Sequence, residues 1–360
     1  MNARRSEREP SELTIAITGM NARPDNPGPG LAVARCLKES SLSNSKIIGL
    51  SYDALDPGFY LTKYCDAGYL LPYPSAGENA LIDRIAEIHS QENIDIIIPC
   101  LDAELPSFIR LNYLFKEMGI LTFLPSAEQL RFRNKDRLVE VAKHSGINTP
   151  RITNITSTSF FKDCEENDWH FPLVVKGIFY GARIVHNIDQ ATTAFHAIAK
   201  EWGLPILVQA FTKGEEYNLT AVGDGQGNLI NPVMMKKLAV TDKGKAWAGV
   251  CIFDEQLQNA ASSLCEKIKW RGPLEFEAMK NENGEYQLIE INPRFPAWIY
   301  LSKGVGRNLP ETLIKLMTSA PVFDGKDAAV GKIFIRYAEE TIISMSDFEN
   351  IVMQGNMINS

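Results

Sequence analysis

The stretch QLIEINPRF at 287–295 carries a carboxylate, an amide and a guanidinium at alternate positions, Glu290, Asn292 and Arg294, at the end of an apolar run. Burying such groups is costly unless each finds a partner. Either they satisfy one another or something charged satisfies them. Upstream, PLEFEAM and YQLIEIN flank NENGE, whose Asn283-Gly284 pair is a tight-turn signal. The pattern predicts two strands folded as a hairpin. With a side-chain period of two, Glu275 and Glu277 share a face of the first strand, and Glu290 and Asn292 share a face of the second. A carboxylate of the first strand can then stand beside Glu290 and Asn292. Three oxygen donors suit a hard cation such as Mg²⁺ or Mn²⁺ that keeps waters or phosphate oxygens as its other ligands. Arg294, just beyond, can fork onto a phosphate. The bland alternative is a surface hairpin with solvated carboxylates. Leu274, Phe276, Leu288, Ile289 and Ile291 argue instead for a covered sheet whose acidic face lines a cleft.

Two weaker signals point to the same chemistry. Lys176 ends the strand-like PLVVK and precedes the glycine-containing GIFYGAR. A lysine there can hold a phosphate while backbone N–H groups close over it, although an exposed strand-end lysine is the commoner case. In LVQAFTKGEEYNL an apolar strand meets a short turn that can offer backbone groups to a base edge. Glu215 or Glu216 then falls where ribose hydroxyls would bind, against the plain reading of an exposed Gly-Glu-Glu turn.

The elements that must position these residues read in two styles. Over 13–125, the apolar runs LTIAIT, KIIGLSYD, IDIIIPC and ILTFL alternate with helical patterns at 30–40, 78–93 and 104–119. That alternation predicts parallel βαβ units with ligands at the carboxyl ends of the strands. The long first loop, GMNARPDNPGPG, places Arg23 there, where it can hold a carboxylate. Asp102 and Glu104 follow the third strand and can hold an amine; helix capping by Asp102 is the alternative. A helix over 134–146 and a turn through Pro150 mark a boundary. Beyond it the pattern is α+β and largely antiparallel: a hairpin at 171–185, a helix, a strand at 205–211, then several strands from 216 to 292 interrupted by one helix. The tail, 318–360, reads as one strand and one helix.

At 360 residues the chain can build two or three packed units. Its composition, 45% apolar and 22% charged, is that of a globular protein, and its formal charge of -7 disfavours nucleic acid as a partner. No CxxC pair occurs among the six cysteines, so reduced core thiols are expected. The polar first twelve residues lack the apolar core of a secretory signal, and no apolar run approaches the ~20 residues of a membrane span, so a cytoplasmic protein with no membrane partner is expected.

Taken in order, these elements resemble the ATP-grasp superfamily, and within it the carbamoyl-phosphate-synthase-like and biotin-carboxylase-like carboxylate–amine ligases. The resemblance covers about 13–317 and is most specific in EFEAMKNENGEYQLIEINPR, with NKDRLVEVAKHSGINTP and VVKG adding support. It implies an α/β and α+β protein with the ATP-grasp fold. The segments would be a disordered leader (1–12), a pre-ATP-grasp α/β domain (13–125), a helical linker (126–150), a small lid (151–212), a C-terminal antiparallel-sheet subdomain (213–317) and an extension (318–360). ATP and Mg²⁺ (or Mn²⁺) are the implied cofactors. Lys135 and Lys176 resemble the phosphate-binding lysines, with Gly181 in the loop between the hairpin strands. Gln209, Ala210 and Phe211 resemble the adenine hinge, and Glu216 the ribose ligand. Glu277, Glu290 and Asn292 resemble the metal ligands, with Glu275 as the runner-up. Arg294 and Lys237, or its neighbour Lys236, resemble the residues that steady the transferred phosphoryl group. Two features depart from the family pattern: Ala210 stands where an acidic residue is usual, and GIFYGAR has only two glycines.

The resemblance implies a two-step reaction in which a carboxylate takes the γ-phosphoryl group of ATP and an amine displaces phosphate. The substrates would be a small-molecule acid and amine, amino acids or a peptide among them, and a homodimer is compatible. The alternatives are a non-catalytic ATP-binding regulatory protein and a carbamoyl-phosphate-synthase-like enzyme that phosphorylates bicarbonate or carbamate. A dinucleotide-binding oxidoreductase is disfavoured, since TGMNARPDNPGPG lacks GxGxxG spacing.

Overall fold

The computed structural model describes residues 12–177, 181–322 and 327–358. Nearly all of the expected leader and the centre of GIFYGAR lie outside them. The chain divides into two units: one of 1–130, 218–275 and 292–360, the other of 131–217 and 276–291. The division runs through three strands.

The first unit opens with β1 (Thr14–Ile17), α1 (Gly30–Lys38), β2 (Lys46–Ser51), β3 (Ala67–Leu70), α2 (Glu78–Glu92) and β4 (Ile96–Ile98). Then come three short helices, α3 (Leu105–Arg110), α4 (Asn112–Glu117) and α5 (Ala127–Leu130). β1 pairs in parallel with β2 and with β4, and β2 pairs in parallel with β3. β1 and β4 are wholly buried, as strands covered on both faces must be. α2 buries Leu81, Ile85, Ile88 and Glu92, one helical stripe. The long loop from β1 returns close to its own start at α1: a Cβ on Gly30 would lie 2.0 Å from the Thr18 carbonyl oxygen. β3 escapes the sequence reading, because AGYL is short and bounded by turns. The expected strand ILTFL is reduced to a single bridge from Leu121 to Ile96, and the expected helix over 104–119 breaks at Leu111 into α3 and α4.

The second unit contains α6 (Leu138–Ser145), β5 (Ile152–Ile155), β6 (Leu173–Lys176), β7 (Ala182–Val185), α7 (Ile188–Trp202) and β8 (Ile206–Ala210). Four antiparallel strands in the order β5-β8-β6-β7 carry α7, which buries Ala191, Ala194, Phe195 and Ile198. The hairpin expected at 171–185 is present, with Lys176 opposite Ala182. β5 was not expected; its burial is mostly partial, so ITNI carries little apolar signal.

The rest of the chain forms β9 (Gly214–Asp224), β10 (Leu229–Val240), β11 (Ala246–Ile252), α8 (Glu255–Ile268), β12 (Arg271–Asn281), β13 (Tyr286–Asn292), α9 (Tyr300–Gly304), α10 (Leu309–Met317), β14 (Ile333–Ile335), α11 (Met345–Gln354) and β15 (Asn356–Ile358). The six-stranded sheet runs β13-β12-β9-β10-β11-β14. β9 begins at Gly214, so Glu215 and Glu216 lie in a strand and not in the exposed turn that Gly-Glu-Glu suggests. The tail supplies a second strand beyond the one expected: β15 pairs antiparallel with β3 and completes the order β15-β3-β2-β1-β4. Arg84 ties this edge down by donating to the carbonyls of Leu70 and Gly355. The six cysteines are free and buried, and among the described residues no helix is long and apolar enough to cross a membrane.

Candidate active site

Nine of the expected site residues fall in the second unit: Lys135, Lys176, Gly181, Gln209, Ala210, Phe211, Glu216, Glu277 and Glu290. Lys176 is the last residue of β6 and is only 8% exposed. Its position follows from strand pairing. Val174 and Lys176 share a face of β6, and Gln209 on β8 stands opposite Val174. Lys176 and Gln209 are therefore diagonal neighbours across the ladder, and the lysine ammonium donates to the Gln209 amide oxygen at 2.8 Å. Burial pulls the Lys176 pKa down from its usual 10.5 to about 8. The like charge of Lys135 adds to that pull, and Glu290, Glu277 and Glu216 oppose it. Lys135 reaches the Gly177 carbonyl at 3.5 Å and a Glu290 carboxylate oxygen at 4.0 Å.

Two lysines and three carboxylates thus share one electrostatic neighbourhood. Gly181 closes the hairpin loop in a left-handed conformation, φ +79°, and its carbonyl accepts from the Gly177 N–H at 3.0 Å; residues 178–180 lie outside the described residues. At the expected hinge, the Ala210 N–H donates to the Arg151 carbonyl. The Gln209 side-chain oxygen is taken up by Lys176.

The remaining expected residues fall in the first unit. Glu275 is 4% exposed and gathers donors: Asn218 Nδ2 at 3.0 Å, Trp298 Nε1 at 2.7 Å and Asn292 Nδ2 at 3.1 Å, with an Arg294 nitrogen at 3.5 Å. Arg294 also donates from Nε to Asp102 at 2.7 Å. Asp102 is thus a partner of Arg294 rather than a helix cap. Glu104 is 1% exposed and accepts from the Thr18 hydroxyl, the Tyr52 hydroxyl and the N–H groups of Cys100 and Leu101. Burial raises its pKa, and it pins the loop after β4 instead of standing free to hold an amine. Arg23 is largely exposed and lies 3.5 Å from Asp53. Lys237 is half-buried and donates to the Gly244 carbonyl.

The structure separates the two hairpin carboxylates that the sequence leaves open. Glu275 is surrounded by N–H donors, whereas Glu277 is one of the charges acting on Lys176. Among the described residues no cluster of three or more His, Cys, Asp or Glu is suited to a metal. Within the second unit, Glu277 and Glu290, both acting on Lys176, are the donor type taken by an ion that keeps water and phosphate oxygens as its other ligands. The lysines fit an anion: a cation held out of water beside another cation is relieved by negative charge. Sequence reasoning missed Trp298, Asn218 and the role of Gln209. Only Trp298, four residues past Arg294, lies near the motif.

Comparison with known proteins agrees with this architecture. A family model described as "ATP-grasp in the biosynthetic pathway with Ter operon" matches residues 204–340. The carbamoyl phosphate synthase large chain of Clostridium beijerinckii is 25% identical over 234 residues, 59% of this chain and 21% of that protein. The phosphoribosylamine–glycine ligase of Helicobacter pylori is 25% identical over 178 residues, 47% of this chain and 40% of that one. This chain therefore spans well under half the length of either relative. Among solved structures, the biotin carboxylase domain dimer of Hydrogenobacter thermophilus 2-oxoglutarate carboxylase, in complex with MgADP, ADP and bicarbonate, superimposes with a TM-score of 0.67 at 16% identity. That match covers 89% of this chain and 73% of that one. The family model thus matches the C-terminal part of this chain, and the fold resembles that of a biotin carboxylase domain.

Proposed function

We propose that the protein is an ATP-dependent carboxylate–amine ligase that works through an acylphosphate and releases ADP and phosphate. The observation that carries this reading is the buried Lys176, its pKa lowered to about 8, set among Lys135, Glu216, Glu277 and Glu290. That arrangement is built for a polyanion accompanied by a divalent cation. The relatives' names support the class: one is a ligase of an amine with glycine, the other a carbamoyl phosphate synthase.

In this reading a substrate carboxylate oxygen attacks the γ-phosphorus, the bond to the bridging oxygen breaks and ADP leaves. The amine then attacks the acyl carbon, phosphate leaves and the nitrogen loses its proton to solvent. Lys135 and Lys176 hold phosphate oxygens, with Gly181 shaping the loop beside them. Gln209 orients Lys176, Glu216 receives the ribose hydroxyls, and Ala210 and Phe211 border the base. Glu277, Glu290 and Asn292 hold Mg²⁺, which supplies charge neutralisation at the phosphates when bound. Arg294 steadies the transferred group, held by Asp102 and Glu275, and Lys237 is assigned the same task. Catalysis rests on positioning and charge, so no protein nucleophile is needed. The segment boundaries given above, a cytoplasmic location and a homodimer belong to the same proposal.

The test is product analysis. The protein is incubated with ATP, Mg²⁺ and pools of amino acids or small carboxylic acids, with hydroxylamine added to trap the acylphosphate as a hydroxamate. ADP and phosphate in equal amounts, with hydroxamate, are expected. AMP and pyrophosphate would mean adenylation and refute the mechanism. Carbamoyl phosphate made from bicarbonate would favour the alternative that follows from the C. beijerinckii relative.

A further inference from the structure

The first unit contains an open cavity of about 480 Å³, lined in part by Asn112, Gln129, Gly225, Lys269 and Arg271. None of its lining residues belongs to the candidate catalytic set. The volume lies in the range of small-molecule sites, and its lining carries two cations and no carboxylate.

Each cation is set by the local chain. α8 ends in a left-handed cap at Lys269, φ 53°, and the chain then enters β12 at Arg271. Arg271 is fixed by donating to the carbonyls of Leu124 at 2.9 Å and Thr122 at 3.3 Å, and its guanidinium lies 4.0 Å over the Phe123 ring. These partners are neutral, and burial lowers its pKa. Among the described residues neither Lys269 nor Arg271 has an ion pair. The nearby carboxylate, Asp224, is turned into its own loop, where it accepts from the N–H groups of Gln226, Gly227 and Asn228. The cavity cations are therefore uncompensated, one of them rigidly held and partly desolvated, which is the condition under which an anion binds most strongly.

We propose that this cavity binds the anionic group of a small metabolite, a phosphate or a carboxylate, with Arg271 as the fixed fork and Lys269 as the mobile charge. Asn112, whose amide oxygen takes the Thr122 hydroxyl, keeps its amide N–H donors for the ligand.

The probes are inorganic phosphate and, separately, acetate, titrated into the full-length protein while amide hydrogen exchange locates the protected segments. Protection of 122–130 and 266–272 is expected. Lys269→Glu should weaken that binding by roughly tenfold or more, equivalent to about 1.4 kcal/mol, and Lys269→Ala by less. Lys269 is exposed, so neither variant should move the thermal midpoint. Protection by phosphate alone assigns a phosphate-bearing ligand; protection by both anions assigns the broader class. No protection of these segments, protection confined to other segments, or equal affinity in Lys269→Glu would overturn the site.

Discussion

The Lys176 ammonium donates to the neutral amide oxygen of Gln209 at 2.8 Å, across a diagonal of the β6–β8 ladder. Burial and the charge of Lys135 bring its pKa to about 8. Between that value and the usual 10.5, the unfolded chain carries a proton on this lysine that the folded protein does not. Through this group, stability of the ligand-free protein therefore rises with pH across that window. A bound polyanion restores the charged form, so MgATP binding just above pH 8 should take up a proton. Calorimetry in two buffers of different ionisation enthalpy reads that uptake directly. Buffer-independent heats would contradict the assignment, and Lys176→Met should remove the buffer dependence and weaken ATP binding.

Glu277→Gln and Glu290→Gln should each lower ADP release by on the order of 10²–10³-fold, the size of losing one preorganised charge at a reacting group. Neither side chain is buried, so stability should change by less than about 1 kcal/mol. Turnover near the native rate in Glu290→Gln would remove that residue from the metal set.

Glu275→Gln should behave differently. Its oxygens accept from Asn218, Asn292 and Trp298 and face Arg294. An amide presents an NH₂ to some of these donors, and about 2 kcal/mol of stability should be lost. Trp298→Phe removes a single donor and should cost less. The double variant should fall short of the sum, because both changes strike the same carboxylate. Urea denaturation of the three variants decides; additive losses would mean that the network is not coupled.

Deleting 341–360 removes β15 from the edge of β3 and takes buried Ile351 away from Phe59 and Tyr60. Loss of the isoleucine contact alone is worth roughly 1.5–3 kcal/mol, and an unpaired parallel-sheet edge invites association. A lower urea midpoint together with increased light scattering is expected. An unchanged midpoint would show that the tail does not stabilise the sheet.

The sequence by itself determined what strong local patterns can carry. Continuous apolar runs such as LTIAI and IDIII could only be buried strands, and Asn283-Gly284 between alternating strands could only turn a hairpin. The same hairpin placed Glu277, Glu290 and Asn292 on adjacent strands with Arg294 just beyond, and a strand end placed Lys176. Short or weakly apolar elements were beyond its reach: AGYL, ITNI and NMI become strands only because neighbours 19 or more residues away supply their hydrogen bonds. Tertiary structure alone gives Glu275 and Glu277 different neighbours, because sequence period puts both on the same face and only the positions of Asn218 and Trp298 distinguish them. It likewise turned Gln209 to Lys176, Asp102 to Arg294 and Glu104 inward, since a side chain's partner is fixed by which strands and loops pack together and not by the residue's own neighbours in the chain.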